Sequence, residues 1–236
     1  YGVSLRELTM FAEQTYRQKD GMDPVEKAIS VILFKLEGQT ILRHPNWQMD
    51  DRLLLEHVDP ARGVVTIDGV EHKMRTSDFP TLDPQNPYSL SEGEQVVMEN
   101  LMSAVLHSEK LQAHIGFLYD HGAAYLVHNG NVLFHACVPM NEDGTFCSVS
   151  HQGKTFSGKE YYDYSDRLAR RAWHEHDQVS LDWMWYLWCG RYSPLSGRVM
   201  KTFERTYLAD KSTWAEPRDP YFEHVGDPVA CRTVLE

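Results

Sequence analysis

His135 is the residue whose surroundings most resemble a chemical site. It closes the apolar run Val132-Leu133-Phe134 and precedes Ala136-Cys137-Val138-Pro139. A buried strand that ends on an imidazole beside small residues is an arrangement metal sites use, because the ring needs room and an ordered partner for its second nitrogen. A core histidine with a satisfied ring has the same local sequence, and the residues alone leave both readings open. The second informative segment is Cys189-Gly190-Arg191-Tyr192-Ser193-Pro194-Leu195-Ser196-Gly197-Arg198. Its guanidinium forks and backbone N–H groups suit the oxygens of a phosphate. A loop that only terminates a helix uses the same residue types. His128 precedes an Asn-Gly turn, at the far end of a hairpin from His135, so the two are not expected to share a metal. His174 and His176 flank Glu175 on a polar helical stretch, where they read as a solvated face. No P-loop, G-x-G-x-x-G, G-x-S-x-G or His-Glu-x-x-His is present, so no single motif is a complete catalytic apparatus.

The elements that must position these residues can be read from periodicity. Apolar residues recur at helical spacing over Ser4 to Tyr16 and over Pro24 to Leu36, the latter with Asp23 as N-cap, Pro24 at the first helical position and Gly38 as its terminator. Met49 to His57 reads as a further helix. Val64 to Ile67 and Val70 to Met74 flank Asp68-Gly69 as a tight hairpin. The Pro-rich stretch from Ser77 to Ser91 is the best internal boundary. Beyond it a long helix from about Ser91 to Ala113 is expected to carry Val96, Val97, Met98, Leu101, Val105 and Leu106 toward a core.

From Ile115 the pattern shifts to short apolar segments read as strands: Ile115 to Tyr119, Ala124 to His128 and Val132 to Val138. Asn129-Gly130 sets a hairpin register of Val127 with Val132 and Tyr125 with Phe134. Lys159 to Trp188 returns to helical periodicity, with Asp177 or Ser180 as a cap and Trp183, Trp185 and Trp188 as core aromatics. The tail from Pro194 reads as mostly loop and strand, and Pro228 to Glu236 as the beginning of a helix that the chain is not expected to finish. These elements divide the chain into a mainly helical part with a small hairpin (1–112) and a strand-and-helix part (113–236).

Composition narrows the class. A chain of 236 residues with 42% hydrophobic content can bury a core. Its net charge of -11, with neither half basic, argues against a nucleic-acid footprint. Its apolar stretches, broken by polar residues, are shorter than the ~20 residues of a membrane span. Four cysteines, Cys137, Cys147, Cys189 and Cys231, form no C-x-x-C pair and are expected to be reduced, which fits a cytoplasmic protein. The start on Tyr1-Gly2-Val3, without a leader, reads as an internal piece of a longer chain.

Longer stretches narrow the reading further. Phe34 to Gln39 (FKLEGQ), Asp51 to Leu55 (DRLLL), Tyr125 to Gly144 (YLVHNGNVLFHACVPMNEDG), Trp188 to Gly197 (WCGRYSPLSG) and Thr202 to Arg205 (TFER) together resemble the class III fructose-1,6-bisphosphatases, in the family's order and over nearly the whole chain. The resemblance implies an α+β architecture: a helical insertion followed by part of a calcineurin-like metallophosphatase β sandwich flanked by helices. It implies hydrolysis of the 1-phosphate of fructose 1,6-bisphosphate at a two-metal site, typically with Mn2+, in gluconeogenesis.

By that resemblance His135 matches a histidine metal ligand, with Ala136 in place of the family's usual glycine. Arg191, Arg198 and Lys201 are the expected contacts to a substrate phosphate. The remaining metal motifs are expected upstream of Tyr1 and just after Glu236, so this piece is expected to be inactive alone. Asp51-Arg52 lacks a preceding Gly-Asp and is not one of them. The helical part is expected to shape the substrate pocket or to mediate subunit contacts in a homo-oligomer. Two other readings remain: a non-catalytic regulatory or assembly module, and a two-metal phosphoesterase with another substrate.

Overall fold

The computed structural model describes residues 1–17 and 20–235. Along the chain run α1 (Arg6–Thr15), α2 (Pro24–Arg43), β1 (Val58–Asp59), β2 (Val64–Ile67), β3 (Val70–Lys73), α3 (Glu92–Leu106), α4 (Glu109–His121), β4 (Tyr125–His128), β5 (Asn131–Phe134), β6 (Val149–His151) and β7 (Lys154–Phe156). Then follow α5 (Gly158–Glu175), α6 (Gln178–Cys189), α7 (Thr202–Tyr207), α8 (Tyr221–His224) and α9 (Pro228–Leu235). Helices and small antiparallel sheets make this an α+β chain. Among the described residues the sheets are β1-β2-β3, β4-β5 and β6-β7, and no larger sheet or sandwich is assembled from them.

The chain forms two compact units. The first comprises Tyr1–Pro45, Met49–Gly116 and Lys201–Ala215; the second comprises Asn46–Gln48, Phe117–Met200 and the residues from Glu216 on. The first is organised on α2, which starts as expected: the Asp23 carboxylate accepts from the backbone N–H of Val25 (2.8 Å) and Glu26 (3.4 Å), and Pro24 needs no donor. The helix does not end at Gly38. It continues to Arg43, and Gly38 is needed there for packing, because a Cβ would lie 2.0 Å from the Tyr88 ring.

Burial around much of α2 extends to its charges. Lys35 Nζ donates to Glu94 Oε2 and to the Thr81 carbonyl, both at 2.7 Å, and Glu94 also accepts from Thr81 Oγ1 (2.6 Å) and from the Ser91 N–H (2.7 Å). The last of these belongs to a capping box that starts α3. Arg52 grips Glu37 with two nitrogens (3.0 and 2.6 Å) and Thr202 Oγ1 with one of them (3.0 Å). A buried charge persists only where partners replace its water, and each of these has several.

Three expectations for the stretch from Met49 to Tyr119 need correction, two of a helix and one of a strand. Met49 to His57 forms two 3-10 turns, Asp50–Arg52 and Leu55–His57, because Leu53, Leu54 and Leu55 are all buried and consecutive α-helical residues face different ways. The helix after Ser91 breaks at His107, and of its apolar residues Val97 is buried whereas Val96, Met102, Val105 and Leu106 are exposed. Ile115 to Tyr119 is not a strand: it lies in α4, whose first turn is closed by Gln112 N donating to the Ser108 carbonyl at 2.9 Å. A short apolar run has no period that separates the two.

In the second unit both hairpin strands of β4-β5 pair as read, Val127 opposite Val132 and Tyr125 opposite Phe134, across Asn129 (φ 50°) and Gly130 (φ 74°). β5 ends at Phe134 rather than Val138. A similar turn at Gln152-Gly153, both with positive φ, joins β6 to β7 and carried no sequence flag. Asp177 caps α6 through the Ser180 N–H (3.3 Å). Trp183, Tyr161 and Tyr186 form a fully buried aromatic core with Trp47, whereas Trp188 is half exposed, so the tryptophan stripe is only partly core. The tail is more helical than expected, with α7, α8 and α9. α9 starts at Pro228 as read, and Glu236 lies outside the described residues.

Candidate functional site

His135 leaves the end of β5 with its ring largely exposed, at the end of a half-exposed strand rather than the buried one expected. Its Nδ1 lies 2.8 Å from the carbonyl oxygen of Leu195. A carbonyl oxygen only accepts, so Nδ1 carries a proton, and in the neutral ring Nε2 is the nitrogen that keeps its lone pair. This fits a metal ligand: the second ring nitrogen anchored on a backbone carbonyl, the first free to coordinate.

The loop 190–197 supplies that carbonyl, and several contacts hold it. Cys137 N donates to the Pro194 carbonyl (3.3 Å), and Ser193 Oγ donates to the Leu187 carbonyl in a short contact and accepts from Leu195 N (3.1 Å). Gly197 takes φ 61°, and a Cβ there would meet the Phe222 ring at 2.9 Å and Cys137 Sγ at 3.1 Å. Its carbonyl accepts from Asp219 N at 3.0 Å. The Asp219 carboxylate in turn accepts from Met140 N (3.1 Å) and Tyr221 N (2.9 Å), and burial raises its pKa. Tyr162 Oη donates to the Cys137 carbonyl at 2.7 Å. Burial pushes the Cys137 thiol up to about 12, with the Asp219 charge adding to it, so this cysteine is an inert filler beside the site.

The expected phosphate-binding cations fall in different settings. Arg191 is half-buried in the turn after α6. Arg198 sits at the far end of the same loop, its side chain 49% exposed, paired with Glu216 at 3.3 Å and bridged through its backbone to Arg218. Lys201 belongs to the first unit, where its Nζ pairs with Glu204 Oε1 at 3.0 Å. His128 pairs across the turn with Asn131, and His174 and His176 are exposed. Among the described residues no group of three or more His, Cys, Asp or Glu comes close enough to hold a metal ion. The described residues therefore do not make a closed metal site. Neither the Leu195 carbonyl nor the Gly197 cradle has a sequence signal: a carbonyl is common to every residue, and a glycine in a loop does not show what packs against it.

The family model for Firmicute fructose-1,6-bisphosphatase matches residues 1–236. The chain belongs to that family. A class 3 fructose-1,6-bisphosphatase of Clostridium tetani is 40% identical across 100% of this chain, and one of Clostridium novyi is 41% identical across 97%. One from Ligilactobacillus salivarius is 36% identical across 100%. The matches cover 39%, 35% and 40% of those relatives, so the chain spans about two fifths of the length of the curated relatives it matches. No solved structure matches the chain. No helix among the described residues is long and apolar enough to cross a membrane.

Proposed function

We propose that this chain is part of an enzyme that hydrolyses the 1-phosphate of fructose 1,6-bisphosphate, and that His135 is one of its metal ligands. The observation that carries the proposal is the Nδ1–Leu195 contact, which leaves Nε2 ready to coordinate on a chain of this family. Arg191 and Arg198 are proposed to bind substrate phosphate through charge-assisted hydrogen bonds. Arg198 would have to exchange Glu216 for a phosphate oxygen, and its exposure favours that exchange. Bound manganese would supply Lewis-acid stabilisation of charge at phosphorus. The protein's own part is to hold the His135 tautomer and to collect phosphate on an acidic molecule that otherwise repels it.

The calcineurin-like sandwich, with residues 1–112 as a helical insertion, belongs to the same proposal. Exposed Leu126, Val127 and Leu133 on β4-β5 support it, since an isolated two-stranded hairpin with apolar faces is marginal and gains by further packing. Cys137, Cys147, Cys189 and Cys231 are thiols rather than disulfides, which fits a reducing cytoplasm.

The test is phosphate release from fructose 1,6-bisphosphate with manganese by the full-length polypeptide. Wild type should turn over, and His135→Ala should fall to background while keeping its circular dichroism. Retained turnover with retained manganese would remove His135 from the site. Release from another phosphomonoester instead would reassign the substrate.

A second reading, self-association through the first unit, is favoured by one observation: Met102, Val105 and Leu106 lie on one exposed face of α3. Light scattering should show an oligomer that Val105→Glu dissociates. A wild-type monomer at high concentration would reject it.

A further inference from the structure

The second unit also holds a concave site of different chemistry. Its cavity has a volume of about 370 Å³, within the ~300–1,000 Å³ usual for small-molecule sites. Asn46, Gln48, Asn141, Ser148 and Ser150 line it together with Trp47, Tyr186 and Tyr192, and among the described residues no charged side chain does. Trp47, Cys147, Val149 and Tyr186 are buried and make the floor, while the amide and hydroxyl residues stand exposed around it.

The rim is held in place. Asn46 Nδ2 donates to the Ser150 carbonyl at 3.1 Å, which fastens the segment 46–48 to β6. Gln48 holds φ 53°, a conformation rare for a residue with a side chain, and such strain is found where a residue's position matters. Asn141 donates through Nδ2 to Thr145 Oγ1 (2.9 Å) and to the Phe146 carbonyl (3.2 Å), so its Oδ1 remains an acceptor. The floor is rigid aromatic packing, with Trp47 and Tyr186 ring centres 4.7 Å apart.

From this we infer that the cavity binds a neutral polyhydroxylated ring, a sugar without its phosphates. Amides and hydroxyls match ligand hydroxyls because both donate and accept, and the half-buried Tyr192 is the lining ring left accessible to the C–H face of such a ligand. A phosphate would meet no cation among the described lining residues, which their amides and hydroxyls do not offset. The inference does not depend on fructose 1,6-bisphosphate being the substrate, because it is read by binding rather than turnover.

Trp47 on the floor is the reporter. Titrating the full-length polypeptide with D-fructose, and separately with D-glucose, should change tryptophan fluorescence saturably for at least one of them. Gln48→Gly tolerates the positive φ and removes one amide, and Ser148→Ala removes one hydroxyl; each should weaken binding by about two- to tenfold. Ser148→Trp, which fills the exposed rim, should abolish it. Inorganic phosphate should leave the signal unchanged. A response to both sugars that stays linear would overturn the inference, and so would saturation that none of the three variants alters. Competition by inorganic phosphate would replace the neutral ligand with an anionic one.

Discussion

Replacing Gly197 by Ala should loosen the His135 site from a distance. At φ 61° an alanine costs about 1–2 kcal/mol in backbone strain. Its Cβ would also be pressed to 2.9 Å from the Phe222 ring and 3.1 Å from Cys137 Sγ, overpacking of about 1–3 kcal/mol. The glycine cannot rotate away freely, because its N–H donates to the Ser193 carbonyl (3.1 Å) and its carbonyl accepts from Asp219 N (3.0 Å). With part of the strain relieved by movement, the expected loss is about 2–4 kcal/mol.

That movement would carry Leu195 off His135 Nδ1 and release the ring's tautomer and orientation. Manganese affinity of the full-length polypeptide should then fall about 10- to 100-fold, the usual consequence of losing a ligand's anchoring partner. Calorimetric titration reads the affinity, and chemical denaturation reads the stability. Gly130→Ala is the control, since φ is 74° there but nothing lies within 4 Å of the added methyl. It should cost only the strain, about 1–2 kcal/mol, and leave the metal bound. If Gly197→Ala binds manganese like wild type, or Gly130→Ala loses it equally, the coupling of the loop to His135 is refuted.

Other substitutions test the rest of the chain. Glu94→Leu alone strands the Lys35 ammonium in a fully buried site and should destabilise by about 3–5 kcal/mol, whereas Lys35→Met with Glu94→Leu should recover part of it, the Thr81 hydroxyl and Ser91 N–H still lacking their acceptor; a double variant no better than the single would contradict the pairing. Gly38→Ala, with its Cβ 2.0 Å from the Tyr88 ring, should destabilise despite alanine's higher helix propensity, and a gain in denaturation midpoint would show that Tyr88 yields freely. Asp219→Asn keeps an acceptor for both backbone N–H groups and removes a charge. Because burial raises the Asp219 pKa in the fold, wild type loses this group's contribution as pH rises from about 4 through the folded value, so the variant's relative stability should grow between pH 4 and 7. A flat difference across that range would mean that the carboxylate is not desolvated.

What the sequence determined was chiefly local. The Asp68-Gly69 and Asn129-Gly130 hairpins, with the register of β4 on β5, follow from two adjacent residues that must take positive φ, and the starts of α2 and α6 follow from Asp23 and Asp177 reaching the next N–H groups. Family membership was legible too, because long stretches such as 125–144 carry more information than any one motif. His135 was legible as a candidate, from an imidazole at the end of an apolar run.

What failed was decided by partners far along the chain. Gly38 continues a helix rather than ending it because Tyr88, remote in sequence, needs its space. The consecutive Leu53, Leu54 and Leu55 become 3-10 turns because all three are drawn into the core. Apolar residues of α3 stay exposed because helical spacing states which face is apolar and not whether anything covers it. The tautomer of His135 depends on a backbone carbonyl at Leu195, and a carbonyl is common to every residue type, so only the fold brings that one within 2.8 Å.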